Sequence, residues 1–364
     1  SVDSKNYKQG GSVLQPLGAA AKAGQEITVY ASGIPEGESV TVYATQYNAE
    51  ASAWKAQAGT LTNGRNILAV PKIGSQNTSR GGSLYLTYGG ASPENISLHV
   101  RRAEDIPVLE LSNWYKLDDT ARRAAITAYA AELEAYVKKT GTVNKETNCL
   151  NVTEISMPAV LLSLPAAAVL DNTGGAGYNR EEQFYNSVLA WEDLMHICKT
   201  TQGIDNTYER NDMRTRQNIR CMQMFTGAFM YAAGEHIGIG YGSCGGMAGG
   251  LPISKMAEGA AANQLFGWGI AHEIGHNMDK LGKAEITNNI YAIMVQTYDG
   301  KNNTLESRLE KSGKYTGVFN KVAQQYPGAS NDVFVQLGMY WQLHLAYDGG
   351  DKPMDFYNQF CKAW

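Results

Sequence analysis

Ala271-His272-Glu273-Ile274-Gly275-His276-Asn277, with Glu285 nine residues past the second histidine, decides the reading of this chain. On a helix, His272 and His276 lie one turn apart on the same face. Two imidazoles at that spacing can hold one zinc ion, and Glu273 beside them can take a proton from a metal-bound water. Glu285 offers a third ligand and leaves a fourth position open, as a catalytic rather than a structural zinc requires. With six histidines in 364 residues, accidental matches to this pattern are expected on the order of 0.01 times. The competing reading is two histidines that are merely packed or exposed.

Immediately around the motif, the spacing predicts a helix from about Ala262 to Leu281 that stops at Gly282. Leu265, Trp268, His272, Gly275, His276 and Asp279 fall near one stripe, with Phe266, Ile270 and Ile274 packing beside it. A second helix is expected to start near Lys283, with Glu285 in its first turn and Asn289 one turn later on the same face. A histidine as third ligand would stand six residues after His276, where the chain has Gly282. Asp279 is the alternative carboxylate. Three ligands along one straight helix diverge too far to close a tetrahedral face, so Glu285, arriving from the next element, is better placed. In the expected mechanism zinc acidifies its bound water and polarises a scissile carbonyl, while Glu273 acts as general base. Tyr241, Gly245, Asn288 and Tyr291 are candidate substrate contacts, each tyrosine having core packing as its alternative. Asn289 is a candidate to orient a ligand imidazole.

Further upstream, residues 237–253 are glycine-rich. They carry no GxxxxGK[ST] and so form no phosphate loop. They read as a flexible connection or as an extended edge beside a cleft. Residues 1–105 read as β: Glu26 to Ala31, Ser39 to Ala44, Ser83 to Tyr88 and Ile96 to Val100 alternate polar with apolar, separated by turn signals such as Pro35-Glu36-Gly37. That suits a small β-sandwich. From residue 106 to 364 the character is mainly helical. One helix is expected from Asp118 or Asp119 to about Lys139, closed by Gly141, and another from Arg180 to Lys199. Pro158 to Leu170 reads as a buried strand or short helix, and Thr316 to Trp364 as a helical tail.

Composition bounds the rest. Apolar content of 43% allows a sizeable core, and a formal charge of −4 argues against a nucleic-acid partner. No apolar run reaches 18 residues, so no membrane span is expected. Cys149, Cys198, Cys221, Cys244 and Cys361 form no CxxC, and their odd number leaves at least one thiol free. His99, His196, His236 and His344 stand alone without ligand-like spacing. Arg214, Arg216 and Arg220 read as a solvated or salt-bridged cluster, or as a holder for an acidic sugar or a carboxylate. Ser1 is not an initiator methionine, and the expectation is a mature or excised form and a monomer.

The residues His272 to Met278 and Glu285 to Tyr291 resemble the enhancin-like gluzincin metallopeptidases, whose pattern is HExxH followed after eight or more residues by a glutamate. Gly250-Leu251-Pro252-Ile253 is similar to a glycine-aromatic-proline-isoleucine segment of that family, with leucine in the aromatic position. Gly81 to Leu86 fits its β-rich N-terminal portion. The resemblance implies an α+β fold, with a β-sandwich-like N-terminal domain ahead of a mainly helical zincin domain. It implies zinc held by His272, His276 and Glu285, with Glu273 as base. It also implies cleavage of extracellular, heavily O-glycosylated proteins of mucin type. Two competitors are a gluzincin without any glycan requirement and a glycan- or host-surface-binding protein with a vestigial metal site.

Overall fold

The computed structural model describes residues 10–46, 53–74, 81–140, 151–204, 215–257, 259–299, 307–324, 331–348 and 355–363. Gly141, Cys149 and Arg214 lie outside the described residues. The fold is α+β, with sheets first and helices later. Eight strands open the chain: β1 (Gln15–Lys22), β2 (Glu26–Ser32), β3 (Val40–Thr45), β4 (Lys55–Leu61), β5 (Gly64–Ala69), β6 (Gly81–Tyr88), β7 (Ser97–Arg101) and β8 (Glu104–Asp105). They form a five-stranded sheet, β4-β3-β6-β1-β8, and a three-stranded sheet, β5-β2-β7. The alternation seen in the sequence explains the pair. Ile27 and Val29 of one sheet and Val40, Val42 and Leu84 of the other turn inward to one apolar core.

Past residue 105 the chain passes to a third sheet, of six strands. Its members are β9 (Val108–Glu110), β10 (Thr153–Ser156), β11 (Val160–Leu164), β12 (Gln217–Cys221), β13 (Met230–Ala232) and β14 (Ile237–Ile239), in the order β13-β14-β12-β11-β10-β9. β10 runs parallel to β9 and antiparallel to β11. The helices are α1 (Asp119–Thr140), α2 (Ala166–Asp171), α3 (Arg180–Thr201), α4 (Tyr241–Cys244), α5 (Gly267–Met278), α6 (Asn289–Tyr298), α7 (Arg308–Lys311), α8 (Lys314–Ala323), α9 (Val333–Asp348) and α10 (Asp355–Ala363). The apolar run after Pro158 is both things the sequence allowed, β11 and then α2. Asp118 caps α1, its carboxylate accepting the Ala121 N–H at 2.8 Å.

Two compact units result. One is Ser12–Glu181 with Asn218–Ala248; the other joins Glu182–Gln217 and Gly249–Trp364 with the residues up to Gly11. In the first, the outer face of β6 meets the six-stranded sheet through a buried polar set. The Tyr85 hydroxyl and the Ser163 hydroxyl both donate to the Glu154 carboxylate, at 2.6 and 2.7 Å. Burial raises the Glu154 carboxyl above its ordinary value, and these hydrogen bonds and Arg220 pull it back.

Two expectations are corrected. Arg216 and Arg220 are not a solvated cluster; both are buried, because they lie at and within β12 in the interior of the sheet. The Arg220 guanidinium sits 4.8 Å from the Trp54 ring centroid. The glycine-rich 237–253 segment is no loose connection either. It begins as β14, paired on both sides, and continues through α4 and two short 3-10 turns.

Candidate metal centre

The motif helix is shorter than the sequence spacing suggests, running only from Gly267 to Met278. Its start is set by Phe266, held in the left-handed region at φ 67° and stacked on Trp191 at 3.9 Å. The Asp299 carboxylate accepts the N–H groups of Asn263, Gln264 and Leu265 and fixes the preceding turn. Gly250 packs here as well, since a Cβ on it would fall 2.3 Å from the Phe266 ring. Ile270, Ala271, Ile274 and Met278 bury one side of the helix completely. At its end three of the last four carbonyls have partners. Gly275 accepts the Asp279 N–H, Asn277 accepts the Gly10 N–H at 2.8 Å, and Met278 accepts Gln202 and the Tyr291 hydroxyl. Asn277 donates to Gln217, which in turn donates to the Gly10 carbonyl.

His272 and His276 bring their Nε2 atoms to 3.1 Å, with the rings perpendicular. The Glu285 carboxylate closes the triangle, 3.4 Å from His272 Nε2 and 3.1 Å from His276 Nε2. These are the donors of one small tetrahedral ion. Ligands about 2.1 Å from such an ion lie about 3.4 Å from one another. The set of two imidazoles and one carboxylate suits zinc, and among the described residues it is the one cluster of three such groups.

Asn289 prepares this arrangement. Its Nδ2 donates to the Glu285 carbonyl at 2.8 Å, which turns Oδ1 toward His272 Nδ1 at 2.7 Å. An acceptor at Nδ1 places the ring proton there and leaves the Nε2 lone pair facing the triangle. Burial, then His272, hold the His276 imidazole below its ordinary pKa, while Glu285 pulls it upward. The neutral, ligating form of the ring is thereby favoured.

Glu285 does not sit in the first turn of a helix, as the sequence spacing suggests. α6 begins at Asn289, and Glu285 occupies the preceding turn with φ 65°. Asp279 is the reason. Its carboxylate accepts the N–H groups of Leu281 and Gly282, both at 3.0 Å, and the Thr287 hydroxyl at 2.5 Å. Thr287 also accepts the Lys283 N–H. Asp279 is thus occupied in folding the return loop that presents Glu285. Thr287 went unnoticed in the sequence; Asp279 ahead of Gly282, read there only as an alternative ligand, is the turn signal that could have pointed to it.

The other sequence-stretch candidates fall as follows. Glu273 is buried on α5 beside His272. Asn288 is buried, with its amide 3.3 Å from both His272 Nδ1 and the His272 carbonyl. Tyr291 is buried and its hydroxyl donates to Met278 at 3.2 Å, so it ties α6 to α5 as a core residue. Tyr241 and Gly245 belong to the other compact unit, where Gly245 packs against Asn172 and Ala168. His344 pairs with Asp348 and stacks on Trp341, and His236 is fully buried.

The fold is shared with solved structures. ZmpB metallopeptidase from Clostridium perfringens superimposes with a TM-score of 0.70 at 22% identity, covering 98% of this chain and 68% of that one. The M60 catalytic domain of Clostridium perfringens ZmpC, solved with the sialyl T antigen, gives 0.70 at 24% identity, covering 98% and 66%. A metallopeptidase in complex with Tn antigen gives 0.63 at 17% identity, covering 98% and 60%. No curated protein matches the chain at significance. Residues 154–363, more than half of the chain and all of the α5–α6 region, match the sequence profile of Peptidase M60, enhancin and enhancin-like. The chain therefore belongs to the M60 family of metallopeptidases, enhancin and enhancin-like.

Proposed function

We propose that this protein is a zinc-dependent endopeptidase that hydrolyses peptide bonds in extracellular O-glycosylated proteins of mucin type. The observation that carries the reading is the convergence of His272, His276 and Glu285 on one point at ligand-to-ligand distances. These three residues would hold the ion. When bound, zinc supplies Lewis acidity, polarising a carbonyl and acidifying a water. Glu273, next to His272 on the helix, takes the proton of the attacking water and returns it to the leaving amine. Asn289 holds His272 in its ligating tautomer. Asn288 donates through Nδ2 to the His272 carbonyl and steadies the backbone that carries that ring.

Support for the substrate class comes from the neighbours. One is bound to the sialyl T antigen and another to the Tn antigen. The test is digestion of a defined O-glycoprotein, with the new termini mapped by mass spectrometry, beside the same peptide without glycans. Cleavage of the glycosylated form alone is the expected outcome. Equal cleavage of both forms would leave a general gluzincin, and mucin binding without zinc or cleavage would leave a binding protein. Glu273→Ala is expected to lower cleavage by about 10²–10⁴-fold with zinc content unchanged, because the glutamate is a base and not a ligand. Undiminished activity of that variant would remove Glu273 from the mechanism.

A further inference from the structure

One face of the six-stranded sheet gathers buried polar groups on neighbouring strands. β12 and β14 run parallel, with Ile219 beside Ile237 and Arg220 beside Gly238. One residue earlier, the same register sets Asn218 beside His236. Side chains alternate along a strand, so Asn218, Arg220 and His236 stand on one face, together with the Gly238 position. Tyr231 of β13, paired with Gly238, stands there too. Its ring lies over Gly238, where a Cβ would fall 2.4 Å from it. The bare glycine lets the Tyr231 hydroxyl reach His236 Nε2 at 3.1 Å. Trp54, just ahead of β4, closes over the group. Its ring centroid is 4.7 Å from that of His236 and 4.8 Å from the Arg220 guanidinium carbon.

Asn218 and His236 are 0% exposed and Arg220 is 4% exposed. Among the described residues, neither amide atom of Asn218 has a hydrogen-bond partner, nor do Nε and Nη1 of Arg220 or Nδ1 of His236. Arg220 makes one polar contact, from Nη2 to the Gln46 carbonyl at 3.5 Å, the outer limit of a hydrogen bond. Two acids of this region are already engaged. Glu154 accepts the Tyr85 and Ser163 hydroxyls, and Glu235 pairs with Lys55 at 2.7 Å. A guanidinium stays charged in a protein, and a buried charge without a counter-charge is strongly destabilising. With the Tyr231 hydroxyl donating to Nε2, the His236 ring proton stands on Nδ1. The atoms without partners are then donors at Arg220 Nε and Nη1, Asn218 Nδ2 and His236 Nδ1, against one acceptor, Asn218 Oδ1. That excess of donors around a fixed positive charge selects an anion over water, which brings two donors of its own.

We propose that Asn218, Arg220 and His236 form a buried site for one small monovalent anion, a halide such as chloride. The enclosure suits a monatomic ion and not an acidic sugar or a peptide carboxylate. Bound there, the ion neutralises Arg220 and joins β12 and β14 to the Trp54 segment of the sandwich. It is a structural ligand of the compact unit that carries the sandwich, and its readouts require neither zinc nor cleavage.

Bromide, which scatters X-rays anomalously, is the probe in the crystal. Wild-type crystals soaked in sodium bromide are expected to show an anomalous peak within hydrogen-bond reach of the Arg220 and Asn218 nitrogens. Ordered water alone at that position, without an anomalous peak, overturns the proposal. In solution, chloride is titrated at constant ionic strength against sodium gluconate, whose anion is too large to be enclosed. The melting temperature of the wild type is expected to rise by about 2 °C when chloride reaches ten times its dissociation constant. Arg220→Met, which removes the charge, is expected to abolish that response. Asn218→Leu, which keeps the volume and removes both amide atoms, is expected to flatten it, and serves if Arg220→Met does not fold. A wild type that melts at one temperature throughout the titration overturns the proposal. So does a response equal in wild type and Asn218→Leu, which marks a general salt effect.

Discussion

Two carboxylates near the histidines divide the work at the metal centre, and the division can be separated by substitution. Glu285 is exposed, aimed at both imidazoles, and held at φ 65°. A non-glycine residue in that region costs about 1–3 kcal/mol. Asp279 is buried and accepts three hydrogen bonds from the loop. Glu285→Ala is therefore expected to weaken zinc binding by at least about 100-fold with little change in the melting temperature of the metal-free protein. Asp279→Ala is expected to destabilise the metal-free protein by about 2–3 kcal/mol, the scale of losing charge-assisted hydrogen bonds. Chelator competition and metal-free thermal unfolding measure the two quantities; if both variants changed both equally, the division would be wrong. His272, His276, Glu285 and Asn289 were legible in the sequence because the motif is short and its chemistry fixes the spacing. Thr287 was not, since its bond to Asp279 exists only once the return loop has folded.

At the scale of the element, α5 and α6 owe their close packing to one position. A Cβ on Gly275 would fall 2.2 Å from the Asn288 carbonyl oxygen. The backbone of the following element thus lies directly against the motif helix, which is what brings Asn288 and Asn289 to His272. Gly275→Ala is expected to cost about 1–3 kcal/mol in stability through overpacking and to lower zinc affinity as Asn289 withdraws. Denaturant unfolding and zinc titration test this, and a variant with parental zinc affinity would contradict it. The spacing of large apolar residues in α1, α3 and α9 revealed those helices, because long segments repeat that spacing over several turns. The ends of α5 were not legible. They are set by the left-handed Phe266 on Trp191 and by the Asp279 loop, both tertiary arrangements that override local spacing.

Across the whole molecule, the sandwich could be read from its alternating strands, but the six-stranded sheet could not. β9 and β10 are parallel neighbours more than 40 residues apart in sequence, and β10 and β11 are buried on both faces, so neither alternates. The buried polar residues on this sheet carry a pH dependence. His236 is fully buried, with Nε2 3.1 Å from the Tyr231 hydroxyl and its ring 4.7 Å from Trp54. Burial, then Arg220 and Lys55, hold its pKa down to about 3. Between about pH 6.5 and pH 3 the unfolded chain binds this proton and the folded chain does not, so stability falls as pH falls, by up to about 1.4 kcal/mol per unit. Glu154, with its carboxyl raised by burial, acts in the opposite sense. The difference between wild type and His236→Gln isolates the histidine. The variant's stability, from urea midpoints at pH 4 to 7, is expected to fall less steeply with acidity, and parallel curves would refute this.

The Gly10 N–H, bound to the Asn277 carbonyl near the end of the motif helix, and the Gly10 carbonyl that Gln217 grips make Gly10 a clasp on the segment that carries the two histidines. A Cβ at Gly11 would fall 2.5 Å from the Arg216 carbonyl oxygen, so the clasp admits no bulk. A change of backbone at Gly10 or Gly11 would therefore reach the candidate metal centre from a place remote from it in sequence.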